Sequence, residues 1–255
     1  MSAAGMQALA EATISEHEGV RYLHLGTPWV QGAMRLRSPQ RIELEYVQRM
    51  MAWLLWFDAS EVRALRAVQL GLGAGTITRF CHGVLRMPTT AVEINASVIA
   101  ACRHWFRLPA DDERLQVVHA DAAQWVASPA HRGSAQVLNV DLYDHDAAAP
   151  VLDDEAFYAA CRDVLADGGV MTVNLFGRDA RFEHTMRRLE RVFGARWLWS
   201  LRPTREGNTV AVATRARPWP ERDVRLVRAA AIEDRWGLPA RKWLRIVRPW
   251  TTRDA

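Results

Sequence analysis

From Val68 onward the chain alternates between short apolar runs and longer stretches in which apolar residues recur every three or four positions. The short runs predict strands at 68–71, 90–94, 115–119, 136–141 and 169–176; the stretches between and after them predict helices at 75–86, 95–106, 122–127, 153–166 and 179–193. Such alternation means an α/β fold with a mainly parallel, doubly wound sheet and helices on both faces. Two further runs, Arg196 to Leu201 and Asn208 to Thr214, have a glycine-containing turn between them and no helix. They predict an antiparallel hairpin at one edge, which makes seven strands in all.

Before Val68 the pattern is different. The segments Thr13 to Gly26 and Trp29 to Arg35 alternate about glycine and proline punctuation, as a small β-meander does. After Ser38-Pro39, a helix-start signal, apolar residues at Val47, Met50, Met51, Leu54 and Leu55 predict a helix over 42–57 with one broad buried face. The expected organisation is an N-terminal β-lobe (1–38), a Rossmann-like main domain (39–214) and a peripheral C-terminal segment (215–255). In that last segment 221–236 reads as a covering helix, and Trp219, Trp236, Trp243 and Trp250 are candidates to pack on the sheet or on a second subunit.

Composition narrows the setting. With 255 residues, 49% of them hydrophobic, the chain can bury a sizeable core. Its 33 basic and 29 acidic residues give a net charge of +4, and Lys242 is the only lysine. Arginines spread over amphipathic helices such as Arg181 to Arg191 read as a solvated face, and no aromatic-interleaved basic stripe points to nucleic acid. Cys81, Cys102 and Cys161 are widely spaced within apolar helical patterns, which fits reduced core thiols better than a disulfide frame or a metal site. No apolar run approaches the ~18 residues of a membrane span, and none has the character of a leader. A cytoplasmic location with neither metal nor membrane is expected.

Candidate chemistry begins at Arg66 to Thr76, an apolar strand running into a loop with glycine at every second position, Gly71, Gly73 and Gly75, and then a helix. Glycines there let a nucleoside or phosphate lie against the main chain beside a helix N-terminus. About twenty residues on, Glu93 ends the next strand, where an α/β nucleotide fold binds ribose hydroxyls. Asp121 follows the third strand, as ligand or as helix cap. Asp141 closes the fourth strand, with Tyr143 and Asp144 on the same loop. Two carboxylates there would attract a cation and accept a proton from an amine; the alternative is a polar turn with Asp144 capping the following segment.

Together the glycine loop, Glu93, Asp121-Ala122, the Asp-x-x-Asp at 141–144, Leu152 to Tyr158 and Leu165 to Val170 resemble the polyamine aminopropyltransferases, the spermidine synthases. Those enzymes share the fold of the class I S-adenosylmethionine-dependent methyltransferases. The resemblance runs from about Ile14 to Thr214. It implies Gln31 and Glu93 on the ribose, Asp121-Ala122 at the adenine, and Tyr46, Asp141 and Asp144 around the attacking amine, with Asp144 as base. It also implies decarboxylated S-adenosylmethionine as donor, an amine as acceptor and a homodimer. At two places the chain departs from the family. Ala74 stands where the family's Gly-Gly-Gly-Asp-Gly-Gly loop has the aspartate that grips the donor amine, and Val47-Gln48 stands where the family has His-Glu or Gln-Glu. Ala74 keeps open a methyltransferase using S-adenosylmethionine itself on the same scaffold. A non-catalytic nucleoside-binding protein acting through its Trp-rich segment is a third reading, against which the Asp-x-x-Asp loop speaks.

Overall fold

The computed structural model describes residues 9–142, 152–176 and 180–251. Strands β1 (Ala12–His17), β2 (Val20–Leu25) and β3 (Gly32–Arg35) form an antiparallel meander in that order. One face is buried through Leu23 and Met34, while the outer strand β1 is largely exposed.

The expected single helix over 42–57 is instead two pieces. Helix α1 (Glu45–Met50) is half-buried and amphipathic, but Met51–Trp56 tightens into a 3-10 helix. The reason is burial on every side: all six residues from Met51 to Trp56 are buried, so there is no solvent face to maintain, and packing against the surrounding core dictates the winding.

The main domain follows as β4 (Ala67–Leu70), α2 (Thr76–Arg79), β5 (Thr89–Glu93), α3 (Ala96–His104), β6 (Leu115–His119), α4 (Ala122–Ala127), β7 (Ala135–Val140), α5 (Glu155–Val164), β8 (Leu165–Phe176), α6 (Ala180–Phe193), β9 (Leu198–Leu201) and β10 (Asn208–Thr214). Beyond α2 the helix continues through a π turn at Phe80–Val84. β4, β5, β6, β7 and β8 are parallel, and β10 enters antiparallel between β8 and β9. Buried strands with apolar residues on both faces, such as the wholly buried β4, suit a sheet covered by helices on each side.

Residues 215–251 are less peripheral than the sequence suggests. They fold as α7 (Arg222–Trp236), α8 (Ala240–Ile246) and β11 (Val247–Pro249), and β11 pairs antiparallel with β9 to add an eighth strand. The sheet order is therefore β11-β9-β10-β8-β7-β4-β5-β6, and the hairpin expected at the edge is covered. Trp243 is 1% exposed, and Trp219 lies 4.2 Å, centroid to centroid, from Trp56. These tryptophans complete the core of their own chain, whereas Trp250 packs edge-on to Phe182 and donates to Glu190 at 2.9 Å.

The lobe is locked to the domain at the glycine loop. Thr76 Oγ1 donates to the Ala33 carbonyl at 3.1 Å, and Gly32 approaches so closely that a Cβ on it would lie 2.5 Å from the Ala74 Cβ and 2.6 Å from the Ala74 nitrogen. Only a residue without a side chain fits there. Gly32→Ala is accordingly expected to lower stability by about 1–3 kcal/mol, the usual cost of overpacking, measured by urea unfolding. An unchanged midpoint would mean that the lobe can lift off the loop at no cost.

Candidate active site

Between β4 and β7 the strand order reverses, since the chain runs outward through β5 and β6 and then returns to the far side of β4. Ligands of open α/β sheets bind outside the carboxyl ends of the strands at such a point. A cleft of about 690 Å³ lies there. Because the sheet order is fixed, its floor can be read across: Asp121 after β6, Glu93 ending β5, Gly71 and Gly73 after β4, Asp141 after β7, Asn174 on β8 and Asn208 on β10. Tyr22, Gln31, Glu43, Glu45 and Tyr46 line it from the lobe and the lobe connection, and Glu206 from the β9–β10 turn.

The structure thus gathers Gln31, Tyr46, Gly71, Gly73, Glu93, Asp121, Ala122 and Asp141 around one cavity. Gly75 is off the lining; it begins α2, and its Cα faces Arg79, Leu108 and Cys102. Ala74 is also off the lining, 2% exposed with its Cβ against Gly32. A carboxylate placed there would meet the lobe backbone rather than a ligand. Gln48 turns away as well, donating to the Ile42 carbonyl at 2.9 Å. Asp144 lies outside the described residues.

The glycine loop is held from behind. Cys102 Sγ donates to the Gly73 carbonyl at 3.0 Å, and Arg79, whose guanidinium burial pulls down to about 10, donates to the Ala74 carbonyl. Gly71 has φ +81°, and a Cβ on it would lie 2.1 Å from the Asp141 carbonyl oxygen. The two strand ends that flank the switch point are therefore in direct contact.

Each acid has its own setting. Glu93 accepts from the backbone N–H of Leu72 at 2.8 Å and of Asn95 at 2.9 Å; burial raises its pKa and these donors oppose the rise. Asp121 caps α4 through the Gln124 N–H at 2.9 Å while still facing the cleft, so the two readings of that residue are compatible. Asp141 accepts from Asn174 Nδ2 at 2.8 Å and, more weakly, from the Tyr46 hydroxyl at 3.4 Å. Burial raises its pKa, against which those two hydrogen bonds work. Glu43 is held by Arg35, and Glu45 by Lys242 and Arg49; both stay below the ordinary glutamate range.

Asn174 and Asn208 belong to no motif. Asn208 Nδ2 donates to Asn174 Oδ1 at 3.1 Å, extending the line from Asp141 across β8 to β10. Their signal in the sequence is polarity in the wrong place: an amide near the carboxyl end of the mainly apolar run Val170 to Phe176, and one opening β10. Among the described residues no group of three or more His, Cys, Asp or Glu side chains is arranged to hold a metal ion, and no helix is long and apolar enough to cross a membrane.

This chain has relatives among known proteins. Residues 72–207 match the model of the spermine/spermidine synthase domain. The polyamine aminopropyltransferase of Neisseria meningitidis serogroup A is 33% identical over 236 residues, covering 92% of this chain and 88% of that protein. In fold, a probable spermidine synthase from Corynebacterium glutamicum superposes with a TM-score of 0.70 at 20% identity, over 98% of this chain and 97% of the other. Human methyltransferase-like protein 13, in complex with SAH, gives 0.65 at 23% identity, over 82% and 96%.

The buried carboxyl of Asp141 has a consequence for stability. Its folded-state pKa lies above the unfolded value of ~4, so its contribution favours folding below that pH and is lost as the pH rises through the folded pKa. Asp141→Asn, which can still accept from Asn174, is expected to match wild type at acid pH and to exceed it at pH 8. Denaturant unfolding at the two pH values checks this; a mutant that matches wild type at acid pH but is less stable at pH 8 means that the ionised form is favoured by its surroundings.

Proposed function

The chain belongs to the spermine/spermidine synthase family, and from that premise we propose how its cleft carries out the aminopropyl transfer of polyamine biosynthesis, and from which donor. The donor is decarboxylated S-adenosylmethionine. One observation carries this choice: the described lining includes six carboxylates, Glu43, Glu45, Glu93, Asp121, Asp141 and Glu206, and no Arg, Lys or His. In a chain with more basic than acidic residues, the cleft is set apart for cations. A sulfonium bearing an ammonium tail and a cationic amine acceptor both suit it, whereas the carboxylate of S-adenosylmethionine finds no cationic partner among these residues. The methyltransferase neighbour shares the fold, and the fold alone does not separate the two donors.

In this reading Gln31, Gly71, Gly73, Glu93, Asp121 and Ala122 hold the nucleoside over β4, β5 and β6. The acceptor nitrogen lies near Asp141, oriented by that carboxylate and Tyr46. Its lone pair attacks the propyl carbon beside the sulfonium, the C–S bond breaks, and methylthioadenosine leaves. The proton released from nitrogen goes to a carboxylate, for which Asp144 is our candidate. The enzyme supplies alignment, which can be worth several kcal/mol, and a base within reach. Glu93 suits vicinal hydroxyls because backbone N–H groups keep its carboxylate aimed along the strand end. We also read the protein as a cytoplasmic homodimer; its three cysteines are free and buried, which supports a reducing compartment.

Calorimetric titration with methylthioadenosine, S-adenosylmethionine and its decarboxylated form tests the donor. The decarboxylated form is expected to bind at least tenfold more tightly than S-adenosylmethionine, because its ammonium tail adds a charge-assisted hydrogen bond and no carboxylate is repelled. The reverse order would favour the methyltransferase reading. Asp144→Asn is expected to reduce kcat by about 10²–10⁴ while methylthioadenosine affinity stays near wild type. A mutant with full turnover leaves Asp144 as a turn residue.

A further inference from the structure

Three polar side chains lie in the core directly beneath the cleft floor. Gln69 on β4, Asn139 on β7 and Thr172 on β8 are each at most 3% exposed, and they are register partners across the parallel strands, Gln69 opposite Asn139 and Asn139 opposite Thr172. Because side chains alternate along a strand, the three share one face of the sheet. Two residues back on that face stand Ala67, Val137 and Val170, in the core with Trp53 and Trp56; two residues on come Gly71, Asp141 and Asn174, which line the cleft. A row of two amides and a hydroxyl thus separates apolar core from floor. Buried polar groups are costly unless they are hydrogen-bonded, so such a row needs a reason.

The bonds supply one. Gly71 leaves β4 with φ +81°; its N–H donates to the Val92 carbonyl at 2.9 Å, and its own carbonyl accepts from Gln69 Nε2 at 2.7 Å. Contact with Asp141 limits how near the loop can come, whereas the bond from Gln69 gives this buried carbonyl its donor and so fixes how the loop turns. At the far end of the row, Thr172 Oγ1 donates to Asn139 Oδ1 at 2.8 Å. Between these two bonds Asn139 Nδ2, a donor, and Gln69 Oε1, an acceptor, are buried with no hydrogen-bond partner among the described residues, on paired strands about 5 Å apart. Each is what the other lacks. We propose that Thr172, Asn139 and Gln69 form a one-way donor chain, hydroxyl to amide to amide, which ends on the Gly71 carbonyl and positions the nucleoside loop against Asp141. Every link donates in the same direction, so each polarises the next. Gln69 and Asn139 act as positioning residues, since neither lines the cleft. This inference rests on the reading of the cleft as a nucleoside site.

The test is a double-mutant cycle on the intact protein, read by calorimetric titration with methylthioadenosine. Gln69→Met, similar in length but without a donor, is expected to weaken binding about fivefold, the scale of one hydrogen bond. Asn139→Leu changes a residue with no contact to the loop or the cleft, yet it should weaken binding about twofold or more through Gln69, and the double mutant should bind no worse than Gln69→Met alone. Urea midpoints followed alongside separate positioning from packing, because a purely structural row shifts the midpoint and leaves the affinity of the folded protein unchanged. Wild-type affinity in folded Gln69→Met, or losses that multiply in the double mutant, overturns the chain and leaves the nucleoside reading standing. Should either variant fail to fold, Thr172→Val, which replaces only the far hydroxyl by a methyl, decides by the same titration: weakened binding is expected, and wild-type affinity overturns the proposal. If wild type does not bind methylthioadenosine, the nucleoside reading falls, and this inference with it.

Discussion

The close approach of Gly71 to Asp141 is the constraint on which the rest of the site depends. At the switch point, β4 and β7 run side by side, and the backbone of one strand end lies against the carbonyl of the other, with no room for even one methyl group. The loop that would cradle the nucleoside and the residue that would orient the amine are thereby fixed relative to each other by main-chain packing. Long side chains could not hold two reactants in register so firmly, because each rotatable bond adds freedom that must be lost on binding. The lobe strengthens the arrangement from above, where Gly32 packs on Ala74 and Thr76 bonds to Ala33.

Around this fixed point the protein concentrates negative charge, and it stabilises each charge in a different way. Backbone N–H groups hold Glu93 and Asp121, ion pairs at the rim hold Glu43 and Glu45, and side-chain amide and phenol donors hold Asp141. Amides and N–H groups orient a carboxylate without cancelling its charge, so Glu93 and Asp141 still present a field to the cleft. The cost is desolvation, visible as the raised pKa of both. Destabilisation of this kind is typical of sites built to bind a charge that is absent from the free protein.

Much of the fold was legible because it depends on local periodicity. Runs such as Leu115–His119 and Ala122–Ala127 have one dominant period and clear end signals, and they formed where the pattern placed them. The acids at the strand ends could be assigned to one cavity without knowing a single distance, since parallel strands all deliver their carboxyl ends to the same side. Where apolar residues occur without interruption, as from Met51 to Trp56, period carries no information, and the 3-10 winding was decided by what surrounds the segment.

The sequence by itself determined the strand and helix order, the glycine loop and the acids that follow the parallel strands, because these follow from side-chain periodicity and from the handedness common to all such sheets. Only the tertiary structure decided that Ala74 and Gln48 face away from the cleft, that Gly75 lies behind the loop, that Trp243 and β11 complete the core and sheet, and that Asn174, Asn208 and Glu206 extend the floor beyond Asp141. Each of these depends on packing between residues far apart in the chain. The direction of a side chain in a loop, and the insertion of β10 between β8 and β9, are set by such distant partners, and no local pattern encodes them.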